Sequence, residues 1–311
     1  MVLTNATKKF NITTPTPKIQ EAEVNSIIKE EYHEKGFVIL RDFFPNDILS
    51  HYENTVVTLH YQQCLKLPEF HKFIGGGELL SFQSVSDFDR LLGFMEEFDK
   101  ETLYQVLPMV ANSIAAKQFS CYRPFAEVCS DLLGCSLNQL ITIGPEPFIK
   151  IPKQKRLVYH WHSEAHYYPK RCRLTNVWFP IFRDKHADNG TMYMAVGSHK
   201  KFYSDFAFYQ GYDKETLNSA NHFLQFEIPE SDVSEFEKVA IEAQRGDVVL
   251  FDRNLIHSGS VNLSNEISYN AVMRVFDYRE DLTLTGYPVV KPSTDYARPG
   301  MRRLSVNQVG S

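Results

Sequence analysis

Between residues 140 and 276 the chain breaks into short apolar runs, most bounded by turn residues. Strand-like stretches fall at 140–143, 147–151, 174–182, 191–196, 239–243, 248–251 and 267–276. Asp188-Asn189-Gly190, Gly197-Ser198 and Arg245-Gly246-Asp247 punctuate them, with residue types that favour turns. Many short strands joined by loops point to an antiparallel sandwich or barrel.

The first half reads differently. Over 21–35, Val24, Ile27, Ile28 and, less strictly, Tyr32 fall at helical spacing, and Gly36 stands where a helix-ending glycine belongs. A strand is expected over 37–44, around Val38, Ile39 and Leu40, stopped by Pro45 and Asn46. Helical patterns follow at 47–60 and several times within 79–133, including 87–98 and 123–133. Residues 1–20 read as a flexible tail, and 21–311 as one domain with its core strands at about 139–280. The segment 200–238 is aromatic and polar without clear period, as an insertion covering one face would be.

With 43% apolar residues and 23% charged, the chain can bury a sizeable core. A net charge of -5 implies no nucleic-acid surface, so the expected partner is a small molecule. The five cysteines are scattered without a CxxC pair, which reads as reduced, mostly buried thiols. Neither an apolar leader nor a run of membrane-spanning length is present, so the expected location is cytoplasmic, with no membrane span. Oligomeric state stays open.

The densest chemistry lies in Tyr159-His160-Trp161-His162-Ser163-Glu164-Ala165-His166. On an extended segment residues two apart share a side, so His160, His162, Glu164 and His166 are expected to face one way. His162 and Glu164 then offer an imidazole and a carboxylate to one ion. His257, just beyond the apolar run 248–251, is the candidate third ligand. Two histidines and one carboxylate leave the remaining positions of a metal open, which suits non-haem Fe(II) taking a bidentate co-substrate and dioxygen. Zinc also accepts this donor set, and a His-x-Glu pair alone is usually a surface pair. His160 and His166 read as supporting rather than ligating.

His162-Ser163-Glu164-Ala165-His166-Tyr167-Tyr168-Pro169 resembles the H-x-D-x-H-Y-x-P signature of the phytanoyl-CoA dioxygenase family. Asp188-Asn189-Gly190-Thr191 with Val196-Gly197-Ser198-His199-Lys200 resembles its N-G-x-L…P-G-S-H-K element. Gly246-Asp247 leading to His257-Ser258-Gly259-Ser260-Val261-Asn262-Leu263-Ser264 is similar to its G-D…H-x-S-x-x-N-x-S element, and residues 36–44 are similar to its first strand. The resemblance implies a mainly β fold with flanking helices: a double-stranded β-helix (jelly-roll, cupin-like) core behind a helix-rich N-terminal half. It implies a dioxygenase that uses Fe(II), 2-oxoglutarate and dioxygen to hydroxylate a small molecule, with His162, Glu164 and His257 on the metal.

Two positions depart from the family pattern. Glu164 stands where the family usually has aspartate, and Ser268 stands where an arginine often grips the far carboxylate of 2-oxoglutarate. Arg274 is the expected replacement: it shares a strand face with Ser268, Asn270 and Val272 and interrupts an apolar stretch. Its alternative is an internal salt bridge or a strand-end charge reaching solvent. Ser260 and Lys150 are expected as weaker helpers at the co-substrate. Lys153, Lys155, Arg156, Lys170, Arg171 and Arg173 read either as recruiters of an anionic substrate or as a solvated loop face. Trp161, Trp178, Tyr167 and Tyr168 read as pocket lining or as ordinary core. Specificity is expected from loops 66–90 and 200–238. The rival readings are a cupin-like metal enzyme that does not use 2-oxoglutarate and a non-catalytic barrel that binds a small molecule.

Overall fold

The first helix ends where the chain needs a positive φ. α1 (Glu21–Lys35) stops at Gly36, whose φ is +89°, and a β-carbon there would run into His199 and Leu255. The computed structural model describes residues 21–73, 84–154, 158–166, 168, 172–201, 207–210 and 224–279. The expected tail over 1–20 and large parts of both specificity loops lie outside them. α1 turns its buried Tyr32 to the core, whereas Ile27, expected on the apolar face, is exposed.

After β1 (Phe37–Leu40) comes α2 (Asn46–Cys64), which buries Leu49, Tyr52, Val56, His60 and Cys64 at helical spacing. α3 (Pro68–Phe73) precedes α4 (Val85–Phe98), which begins at a capping box between Ser84 and Asp87. α5 (Lys100–Ala111) and α6 (Ile114–Cys121) follow, and α7 (Arg123–Leu133) closes on Gly134 in the left-handed conformation. Phe119, on α6, packs between Phe44 and Phe179, with ring centroids 4.8 and 4.7 Å away.

The later strands are β2 (Leu140–Lys150), β3 (Arg173–Ile181), β4 (Met192–Ala195), β5 (Ala207–Gln210) and β6 (Leu224–Glu227). α8 (Glu230–Val233), β7 (Lys238–Ala240), β8 (Val248–Asp252), β9 (His257–Gly259) and β10 (Ser268–Asp277) complete the described chain. An antiparallel five-stranded sheet runs β1-β8-β3-β10-β2, and a three-stranded sheet runs β7-β4-β9. The period of two divides the large sheet cleanly. Tyr269, Ala271, Met273 and Val275 face the helices, joining Val177 and Phe179 in the main core. Trp178, Val249 and Phe251 face the small sheet, packed with Met192, Met194 and Leu255, and Val272 joins them. Ser268, Asn270 and Arg274 share the Val272 face by the same period. This is the helix-flanked double-stranded β-helix that the sequence led one to expect.

Local differences have local causes. The runs at 140–143 and 147–151 form one strand, β2, with a register shift opposite Val272 and Arg274. β1 ends at Leu40 rather than Phe44, because Asp42 turns the chain at φ 47° and the Phe43 and Phe44 amides both donate to the Gly246 carbonyl. The 200–238 segment, which shows no clear period in sequence, pairs β5 with β6. All five cysteines are free, with Cys64, Cys129 and Cys172 buried. Among the described residues no helix is long and apolar enough to cross a membrane.

Candidate metal centre

His162 and His257 are joined through their backbones. Each donates its amide to the other's carbonyl, at 3.0 and 2.9 Å, in an antiparallel bridge. The same pairing extends outward, with Gly259 N donating to Tyr159 O and Ala165 N to Arg253 O, both at 2.9 Å. The two imidazoles therefore stand side by side, ring centroids 4.2 Å apart. β9, which carries His257, is a strand in its own right and pairs with β4, where the sequence suggested only the end of β8.

Each ring is fixed by its inner nitrogen. His162 Nδ1 bonds the His160 carbonyl at 2.6 Å, and His257 Nδ1 bonds the Leu255 carbonyl at 2.9 Å. A carbonyl only accepts, so both Nδ1 atoms carry the hydrogen and the lone pair of each ring sits on Nε2. Burial, then the neighbouring His257, pushes His162 down to about 3, and burial likewise lowers His257. Both rings are neutral at ordinary pH, as metal ligands must be.

Glu164 reaches the same point from a short 3-10 turn, Glu164–His166, instead of the extended segment expected. Ligand atoms of His162, Glu164 and His257 all lie within 4.8 Å of one another, and all three residues are buried. His160 does not join them: its side chain is exposed, and its carbonyl is what serves the site. His166 has no described side chain. One carboxylate and two imidazole nitrogens without thiolate fit a hard-to-borderline divalent ion such as Fe(II).

Arg274 binds Glu164 through two nitrogens, Nε to Oε2 at 3.0 Å and Nη2 to Oε1 at 3.3 Å. Its remaining Nη1 meets Glu146 Oε2 at 3.2 Å. Burial pushes the Glu164 carboxyl up, but Arg274 and the two imidazoles outweigh it and hold it at about 2. The guanidinium expected to grip a co-substrate is thus engaged by two carboxylates, the arrangement that was its alternative reading. Glu146 escaped the sequence reading because its neighbour Arg274 is 128 residues away in the chain.

The other expected helpers lie at the opposite end of β10. Lys150 is buried, and its Nζ donates to Gly190 O at 2.7 Å and Ser260 O at 3.1 Å. Ser260 Oγ donates to the Thr191 carbonyl at 2.9 Å. Ser268 receives Lys185 Nζ at 2.5 Å, a residue the sequence reading passed over because Arg183-Asp184-Lys185-His186 has the look of a solvated turn. Asn176, register partner of Arg274, is buried with neither amide atom hydrogen-bonded among the described residues.

The motif residues outside the triad build the frame. Asp247 accepts from the amides of Asp42 and Gln244 and from Arg41. Ser198 Oγ accepts from Ile256 N at 2.9 Å, next to His257. Asn262 Nδ2 holds the carbonyls of Lys150 and Glu266. Buried Arg253 donates to the carbonyls of Cys172, Ala165 and Tyr168, tying down the chain after Glu164. Trp178 is core between the sheets. Lys153 is exposed and Arg173 pairs with Asp277, while Lys155, Arg156, Tyr167, Lys170 and Arg171 lie outside the described residues.

A family profile described as phytanoyl-CoA dioxygenase (PhyH) matches residues 32–268. No curated protein sequence matches the chain. Among solved structures, the epimerase SnoN in complex with Fe3+, alpha ketoglutarate and nogalamycin RO is similar at 14% identity, over 86% of this chain and 93% of that one, with a TM-score of 0.50. EctD from S. alaskensis, with 2-oxoglutarate and 5-hydroxyectoine, is 14% identical over 95% and 92% of the two chains, TM-score 0.48. EvdO2 from Micromonospora carbonacea var. aurantiaca, complexed with 2-oxoglutarate, is 15% identical over 83% and 91%, TM-score 0.48.

Proposed function

The chain belongs to the phytanoyl-CoA dioxygenase family, and from that membership we propose that it is an Fe(II)- and 2-oxoglutarate-dependent dioxygenase that hydroxylates a small-molecule substrate. The observation that carries this reading is the buried His162, Glu164 and His257 cluster, with both Nε2 lone pairs and one carboxylate converging. The similar epimerase was solved with Fe3+ and alpha ketoglutarate.

Bound iron and 2-oxoglutarate, with dioxygen, supply the oxidising chemistry, whose co-products are succinate and carbon dioxide. What the chain contributes is position and charge. His162 and His257 would hold the metal through Nε2, each ring locked by its Nδ1 hydrogen bond. Glu164 would be the anionic ligand, kept ionised and oriented by Arg274. Tyr159 packs beside His162 and Phe251 beside His257, at ring-centroid distances of 5.7 and 4.8 Å. Three protein donors would leave positions on the ion for co-substrate and dioxygen.

Because the similar structures include an epimerase, the outcome of the oxidation needs its own readout. Anaerobic loading with Fe(II), followed by 2-oxoglutarate, dioxygen and a panel of small molecules, is expected to release succinate. A hydroxylated product carrying label from heavy dioxygen identifies hydroxylation, and an unlabelled isomer identifies epimerisation. If the loaded protein neither binds 2-oxoglutarate nor forms succinate, the oxygenase reading fails and a metal enzyme of another kind or a binding barrel replaces it.

A further inference from the structure

Among the described residues, two lysines sit inside the fold without a counter-charge. Lys185 is 2% exposed and Lys150 is 7% exposed. Among the described residues their ammonium groups meet only neutral oxygens: the Ser268 hydroxyl for Lys185, the carbonyls of Gly190 and Ser260 for Lys150. The cations around them are matched. Arg183 pairs with Asp89 and Glu266, and Arg274 with Glu164 and Glu146. An ammonium buried among neutral groups is costly, and two near each other more so. Burial, then the second lysine, pulls Lys185 well below its usual range, and burial brings Lys150 down to about 7. An arriving anion would relieve both.

The place of the pair within the fold indicates which anion. Ser268 and Lys150 are cross-strand partners on β10 and β2, and Ser268 lies on the strand face that also carries Arg274. The Ser260 carbonyl that takes Lys150 belongs to the third residue after His257, no more than about 11 Å of chain from a metal ligand. Gly190 packs closely on the Lys150 stem, since a β-carbon there would stand 3.0 Å from Lys150 Cδ.

We propose that Lys185 and Lys150, with the Ser268 hydroxyl, bind the distal carboxylate of 2-oxoglutarate, leaving Arg274 to hold Glu164. This rests on the co-substrate reading above. Two ammonium groups and a hydroxyl match the two oxygens of a carboxylate, and a five-carbon diacid whose keto-acid end meets the metal carries its second charge to the lysines.

The test uses the full chain loaded with Mn(II) and titration calorimetry with two 2-oxo acids, 2-oxoglutarate and 2-oxopentanoate, which lacks the distal carboxylate. Wild type is expected to favour 2-oxoglutarate by at least about thirty-fold, about 2 kcal/mol at 1.4 kcal/mol per tenfold. Lys185→Met should lose that preference while binding Mn(II) and 2-oxopentanoate as wild type does. Ser268→Asp covers the case in which Lys185→Met does not fold. It supplies the missing carboxylate internally, so it should raise the melting temperature and weaken 2-oxoglutarate alone. If the variants that fold bind 2-oxoglutarate within threefold of wild type, the lysine assignment is overturned while the co-substrate reading stands. If wild type itself binds Mn(II) but no 2-oxoglutarate, the co-substrate reading falls, and this proposal with it.

Discussion

At the scale of single residues, Arg274 carries the largest consequence for the candidate centre. Its guanidinium is the counter-charge that lets Glu164 remain ionised while buried. Replacing it with methionine keeps the bulk but strands a buried carboxylate, which then favours the protonated, non-ligating form. Arg274→Met is expected to weaken Mn(II) binding by about 10- to 100-fold, the usual cost of losing an outer-sphere partner, with calorimetry as the check. An unchanged metal affinity would remove Arg274 from the centre. The candidate ligands themselves were legible: His162, Glu164 and His257 stand out by type and spacing. Partnership was not, because neither Glu146 nor Lys185 differs in sequence from an ordinary surface charge, and only the register of β10 with β2 and the turn after β3 reveals what each one meets.

Among the elements, α2 holds a titratable group that has nothing to do with the metal. His60 is fully buried, donates Nδ1 to the Val56 carbonyl at 2.8 Å and meets Phe88 edge-on. Burial lowers it from 6.5 to about 4. The folded value lies below the unfolded one, so the stability from keeping this ring neutral is fully present above pH 6.5. It is lost as pH falls towards 4, to the extent of about 3 kcal/mol at 1.36 kcal/mol per unit. His60→Leu should therefore flatten the acid limb of stability across that window, measured by urea unfolding of metal-loaded protein; an unaltered slope would contradict the assignment. Elements of this kind were the easiest part to read. α2 and α7 carry clear helical periodicity, and Gly36 ends α1 as expected. The three residues of β9 are too few to show any period, and their strand character comes only from pairing with β4.

For the molecule as a whole, the fold class followed from the density of short strands and turns, whereas the way the two sheets share strands distant in sequence did not. The candidate metal site ties both layers together, since His257 lies in the small sheet and Arg274, which steadies Glu164, lies in the large one. A metal bound only by the folded state adds its binding energy to stability, about 2.7 kcal/mol at a hundred times the dissociation constant. Thermal unfolding of the wild type should therefore move upward with Mn(II) concentration by several degrees, and that of His162→Ala should not. Equal shifts in both proteins would place the stabilising ion elsewhere. The backbone bridge between His162 and His257 has a consequence for biosynthesis as well. The two residues are 257 − 162 = 95 positions apart, and contacts of such separation form late, after the intervening chain has been ordered. A nascent or truncated polypeptide that stops short of His257 therefore carries at most two of the three candidate ligands, and a complete site becomes a certificate that synthesis and closure have both finished.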